Sequence, residues 1–256
     1  MKPIAAAFFA LALLGGLRAR AGEPAGQVVP VWSATVLEVD VDTGGARFTP
    51  VAESTKSGVV HINAIANGPV PSTLPVQWTR AGKRIIVTVG RGSGGSILPF
   101  VPRTQLAYDV TYPAGLQLVV HAFTGNIAVE HPSSQTQVTV SQGDVTIDAP
   151  RAPVLVDDAQ GDVTVSGALA GIDLASDRGD VTADLAPNWL PRPIRMESAL
   201  GDLRLTVSPG FRARVDASTS AGTVHDGLSS AMRGAKDPPV WLYTEKGDVW
   251  LATPHP

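Results

Sequence analysis

The chain has 256 residues, with 20 basic side chains against 23 acidic ones and no cysteine. The absence of cysteine excludes disulfides, thiolate metal sites and a lipidated-cysteine anchor, and the acidic balance disfavours nucleic acid and anionic lipid as main partners. Its 26 glycines and 21 prolines, few aromatics and abundant Val and Thr point to short strands joined by turns.

In chain order, residues 1–21 (MKPIAAAFFALALLGGLRARA) read as a secretory signal peptide. Lys2 leads an apolar run from Ile4 to Gly16, and Ala19-Arg20-Ala21 sets small residues where a signal peptidase cleaves. The run is shorter than the roughly 20 residues that span a bilayer; Arg18 and Arg20 beside the cleavage site keep an uncleaved anchor open as the alternative. Loss of the signal removes three basic residues, so the mature chain carries 17 against 23, a net charge near −6. No later segment is apolar enough for a membrane span. An extracytoplasmic location follows, in the periplasm, at the cell surface or in the medium. Residues 22–34 read as a linker.

Residues 35–115 read as the irregular beginning of a sheet system. SATVLEVDVDTGG and SGVVHINAIA are strands around Gly45 and Gly58. VQWTRAGKRIIVTVG is a hairpin turning at Ala81-Gly82, and 91–103 is an exposed loop.

From residue 116 to 256 the chain repeats itself. FTGNIAVE, SQGDVTID, AQGDVTVS, DRGDVTAD, ALGDLRLT, SAGTVHDG and EKGDVWLA align on Gly125, Gly143, Gly161, Gly179, Gly201, Gly222 and Gly247, at intervals of 18, 18, 18, 22, 21 and 25 residues. Asn126, Asp144, Asp162, Asp180, Asp202 and Asp248 follow six of these glycines, and Thr223 the other. Apolar residues alternate with polar ones on both sides, so each unit supplies two half-buried strands around a glycine corner. Glycine suits a corner of positive φ, and Asp or Asn beside it bonds nearby backbone of the turn. One unit cannot bury its apolar face alone; stacked units bury a continuous Val, Ile and Leu column, the logic of a β-solenoid. Extra residues fall into loops at 185–193 and 229–239. The N-terminal segment and the tail ATPHP are expected to cap the ends. An antiparallel β meander turning at each Gly-Asp pair is the structural alternative.

These serial S-x-G-D-V-x-V units, with the signal peptide and the YDVTYPAG segment before them, resemble secreted bacterial adhesin-like proteins of the auto-transporter adhesin head-domain type, most of unknown function. The resemblance covers roughly residues 35–252. It implies an all-β, single-stranded right-handed parallel β-helix of about 18–25 residues per coil, and it supplies no catalytic residue.

The search for chemistry yields no catalytic, cofactor or metal constellation. Stacked aspartates would stand about 4.8 Å apart, and either a cation relieves their repulsion or each bonds its own turn and points away from its neighbours; the second reading is preferred. His61, His121, His131, His225 and His255 lack metal-ligand spacing. His225-Asp226 reads as a surface pair, and Asp157, Asp158 and Asp162 as solvated charge. Trp189, in a proline-rich loop, is the candidate ligand contact, while Trp241 is expected to pack at the solenoid end. Arg178-Gly179-Asp180 spells the tripeptide associated with integrin binding. Its glycine and aspartate belong to the repeat, and the place of Arg178 is taken elsewhere by Thr124, Gln142, Gln160, Leu200, Ala221 or Lys246, so the arginine reads as incidental.

The function expected is that of a non-catalytic scaffold or adhesion-like binding module at the bacterial cell envelope, without a cofactor. Its partner would be an envelope protein or a polysaccharide. A polysaccharide lyase or hydrolase using one β-helix face is the alternative.

Overall fold

The computed structural model describes residues 26–52, 58–66, 76–90, 106–208, 210–229, 232, 234 and 238–253. The expected signal, the 91–103 loop and the last three residues of the tail lie outside these. The described chain is all β, with strands in two large mixed sheets.

The first part holds β1 (Gly26–Pro30), β2 (Val36–Thr43), β3 (Gly45–Val51), β4 (Val59–Ala66), β5 (Val76–Ala81), β6 (Arg84–Val89) and β7 (Leu106–Pro113). Thereafter strands come in pairs around a glycine. They are β8 (Gln117–Thr124) with β9 (Ile127–Glu130), β10 (Thr136–Gln142) with β11 (Val145–Asp148), and β12 (Val154–Asp158) with β13 (Val163–Ala168). Next come β14 (Ile172–Arg178) with β15 (Val181–Leu185), and β16 (Ile194–Leu200) with β17 (Leu203–Thr206). The last pairs are β18 (Arg214–Ala221) with β19 (Val224–Asp226), and β20 (Pro239–Lys246) with β21 (Val249–Ala252).

One member of each pair enters the ten-stranded sheet and the other the eleven-stranded sheet, so successive units lie side by side. Their register is strict. Ile127, Val145, Val163, Val181, Leu203, Val249 and Val224 form one cross-strand column. All but Val224 are buried, and a buried Val or Leu contributes about 1.5–3 kcal/mol. Leu118, Thr136, Val154, Ile172, Ile194 and Val240 form the matching column in the other sheet. Strands buried in this alternating way must pair in one phase, because a slip of one residue would turn every apolar side chain outward.

Strand order departs from chain order at both ends. β20 and β21 insert between the β16/β17 unit and the β18/β19 unit, leaving β18 and β19 outermost. At the other end β2 and β3 lie directly beside β8 and β9, with β6 and β7 outside them. Among the described residues, antiparallel pairing is confined to β1 with β4, β4 with β7 and β5 with β6. The repeat units pair in parallel, so the meander with a hairpin at each Gly-Asp pair does not hold for them. β5 and β6 make the expected hairpin, with Gly82 at φ 61°. Residues 26–30, inside the stretch read as a linker, form β1 and pair with β4. At the far end Leu228 and Met232 pack on the core, and Ala213 N donates to Met232 O.

The corner glycines stack through backbone contact. A Cβ on Gly125 would stand 1.9 Å from the carbonyl oxygen of Gly44, and one on Gly179 1.9 Å from that of Gly161. Gly201 and Gly222 would meet Gly179 O and Gly247 O at 2.0 and 1.9 Å, although neither has a positive φ. The close approach of one corner to the next excludes a side chain here, a stronger demand than the positive φ expected from the sequence. Gly44, at φ 104°, takes the corner place between β2 and β3, one residue before Gly45.

Candidate functional site

The polar residue after each glycine builds a ladder along the corner. Asn126 Oδ1 accepts from Asp144 N at 3.1 Å, Asp144 Oδ1 from Asp162 N at 3.1 Å, and Asp162 Oδ1 from Asp180 N at 2.9 Å. Asp180, Asp202 and Asp248 continue it to Asp202 N, Asp248 N and Thr223 N, each at 2.8 Å. These carboxylates thus bond the next unit, not their own turn as the sequence reading preferred. The reason is geometric: the glycine column brings the following amide within reach. In the Arg178-Gly179-Asp180 triplet, Gly179 is locked in the column and Asp180 is bonded on both its amide and its carboxylate.

A second ladder runs on the inner side, three residues before the glycine. Ser176, Ser198, Thr244 and Thr219 donate their hydroxyls to Gly161 O, Gly179 O, Gly201 O and Gly247 O at 2.9–3.1 Å. Asp158 is in register with Ser176 and fills the same place in its own unit. It is fully buried, with Oδ1 accepting from Gln160 N at 3.0 Å and Oδ2 without a partner. Burial pushes its pKa up to about 6, opposed by the Gln160 amide and aided by Asp144, Asp157 and Asp162. The expectation of solvated charge at Asp158 is therefore corrected: the strand phase that buries Val154 and Val156 also buries Asp158.

The aromatic assignments reverse. Trp189 is only 8% exposed, packs against Phe211 at 5.3 Å between centroids and donates Nε1–H to Ala170 O at 3.2 Å. The cavity beside it, lined by Pro187, Pro191, Phe211 and Arg212, holds about 230 Å³, below the 300 Å³ at which ligand pockets begin. Trp241 and Tyr243 are instead 42% and 39% exposed. They are two residues apart on β20, so both project from the outer face of the ten-stranded sheet about 6.7 Å apart. Arg195 and Glu197 are in register with them on β16. Glu197 Oε1 accepts from Arg195 Nη2 at 2.8 Å and from Nε at 3.0 Å, and these bonds raise the guanidinium's pKa further. On the other side stand Asp216 and Ser218 of β18, and the Tyr243 hydroxyl meets Ser220 Oγ at 3.2 Å. The result is an exposed aromatic pair edged by charged and hydroxyl groups.

Trp32 and Phe123 are exposed as well, elsewhere in the fold. Trp250 stacks on His225 at 3.7 Å and has Arg204 over its ring at 6.0 Å. His225 pairs with Asp248 at 3.5 Å, across the strand from the Asp226 neighbour suggested by sequence. Trp32 is flanked by Trp78 and Arg80. His131 pairs with Asp148 at 3.3 Å, and His121 faces Glu38.

No family model and no curated protein match the chain. Among solved structures, a "putative adhesin" from Bacteroides fragilis NCTC 9343 covers 91% of this chain and 98% of its own, at 13% identity and TM-score 0.57. A "putative cell adhesion protein" from Clostridium sporogenes ATCC 15579 covers 91% and 100%, at 11% identity and TM-score 0.40. The first likeness shows a shared fold; the second carries no further argument. The adhesin-like resemblance of the repeats accordingly rests on fold, with no family model behind it.

Proposed function

We propose that the chain is an extracytoplasmic β-solenoid, a right-handed parallel β-helix, that works as a non-catalytic binding module at the bacterial cell envelope. Its ligand is a polysaccharide whose sugar rings stack on Trp241 and Tyr243. The observation that carries this reading is the pair of exposed aromatic side chains on one strand, with Arg195, Glu197 and Ser218 in register beside them. Rings of this kind offer an apolar surface with polar groups at its rim, and sugars present apolar faces bordered by hydroxyls. The N-terminal stretch read as a signal and the fold shared with the Bacteroides protein support the location and the class.

Affinity electrophoresis of the wild-type chain and of Trp241→Ala/Tyr243→Ala, in gels containing neutral and acidic polysaccharides, tests the proposal. Retardation by at least one polysaccharide that the double variant loses is expected. Equal mobility of the two proteins in every gel would sink the binding site. New reducing or unsaturated ends in pectin or alginate would sink the non-catalytic class.

A further inference from the structure

We infer that Glu38, Asp40 and His121 form a zinc-binding site on the outer face of the ten-stranded sheet, far along the strand order from Trp241. Asp40 of β2 is in direct register with His121 of β8, and Glu38 sits two residues before Asp40 on the same face. One ligand atom from each of the three lies within 4.8 Å of the others. Zinc with ligands at about 2.0–2.2 Å in a tetrahedron needs ligand atoms about 3.4 Å apart. Side-chain rotation alone closes that difference, while the two hydrogen-bonded strands hold the Cα positions.

The neighbours suit the role. His121 Nε2 stands 4.0 Å from Glu38 Oε1, beyond hydrogen-bond reach, so this contact does not engage the imidazole nitrogen. Glu38 Oε2 is bound by Arg84 Nη1. Such an outer partner fixes a ligating carboxylate, and here it leaves Oε1 on the His121 side. The Glu38 side chain is only 15% exposed, set between Ile86 and Val119 in register, with Val119 buried. Partial removal from water strengthens the attraction between a dication and carboxylates. An imidazole with two carboxylates suits zinc, whereas calcium and magnesium take sets of oxygens.

Calorimetric titration of the tag-free chain with zinc chloride is the test, with circular dichroism melts to check that each variant folds. One zinc per chain is expected. Asp40→Asn and His121→Ala should each weaken binding at least about tenfold, and His131→Ala and His225→Ala should leave it unchanged. Bound cobalt(II) should show visible d–d absorption that His121→Ala abolishes. Failure of the wild-type chain to bind zinc at millimolar concentration, or wild-type affinity in folded His121→Ala, would overturn the inference. So would loss of binding in His225→Ala.

Discussion

Asp158→Ser replaces a buried carboxyl by the group that the next units carry in the same place, Ser176 and Ser198. Those hydroxyls donate to the carbonyl of the preceding glycine. By register the counterpart for Asp158 is Gly143 O, to which a neutral acid can donate and a carboxylate cannot. The folded chain holds the Asp158 proton more tightly than the unfolded one, with a pKa raised from 3.8 to about 6. Its contribution is therefore full below about pH 3.8, falls through the window from there to about pH 6, and is absent above it. The loss across that window is about 3 kcal/mol, at about 1.4 kcal/mol for each tenfold change. Chemical denaturation at two pH values reads it directly. At pH 7.5 Asp158→Ser should be more stable than wild type by about 2–3 kcal/mol, with a melting temperature higher by roughly 4–12 °C. At pH 4 the two should agree within about 0.5 kcal/mol. A variant no more stable than wild type at pH 7.5, or one with the same difference at both pH values, would refute the reasoning.

Gly179→Val should fail to fold or lose more than about 4 kcal/mol, because its Cβ meets Gly161 O at 1.9 Å; Arg178→Ala, at an exposed place, should stay within about 0.5 kcal/mol in the same thermal melt. Asp162→Ala removes the acceptor of Asp180 N and should cost about 1 kcal/mol by denaturant titration. Asp162→Asn keeps that acceptor, as Asn126 does at the ladder's start, and should be near neutral. Trp189→Ala should cost about 3–5 kcal/mol as a buried ring, whereas Trp241→Ala should cost under about 1 kcal/mol while changing ligand binding; a reversed order in melting would restore Trp189 as the exposed contact.

The repeat was legible because every unit repeats the same physical demand at one position, and the glycine that meets it cannot be replaced. The phase of alternation also sets which side chains of each strand face outward. Val240 and Leu242 facing inward already turn Trp241 and Tyr243 outward, and Val154 and Val156 facing inward already bury Asp158. Trp189 could not be placed this way, since it lies in a loop with no period to follow. Nor could unit order be read: the β20/β21 insertion beside β16/β17 is a choice among nearly equivalent strand edges. The meeting of Glu38 with His121 depends on that same long-range order, because β2 lies against β8 only once the intervening strands have been set outside.

The claim that the outer face near β20 is where this chain meets a sugar is tested most directly by following its tryptophan indole N–H signals by NMR during titration with a retained polysaccharide. Trp241 should shift and broaden first, with Trp189 unchanged because its N–H is held by Ala170 O. A titration that moves Trp32 or Trp189 and leaves Trp241 in place would contradict it.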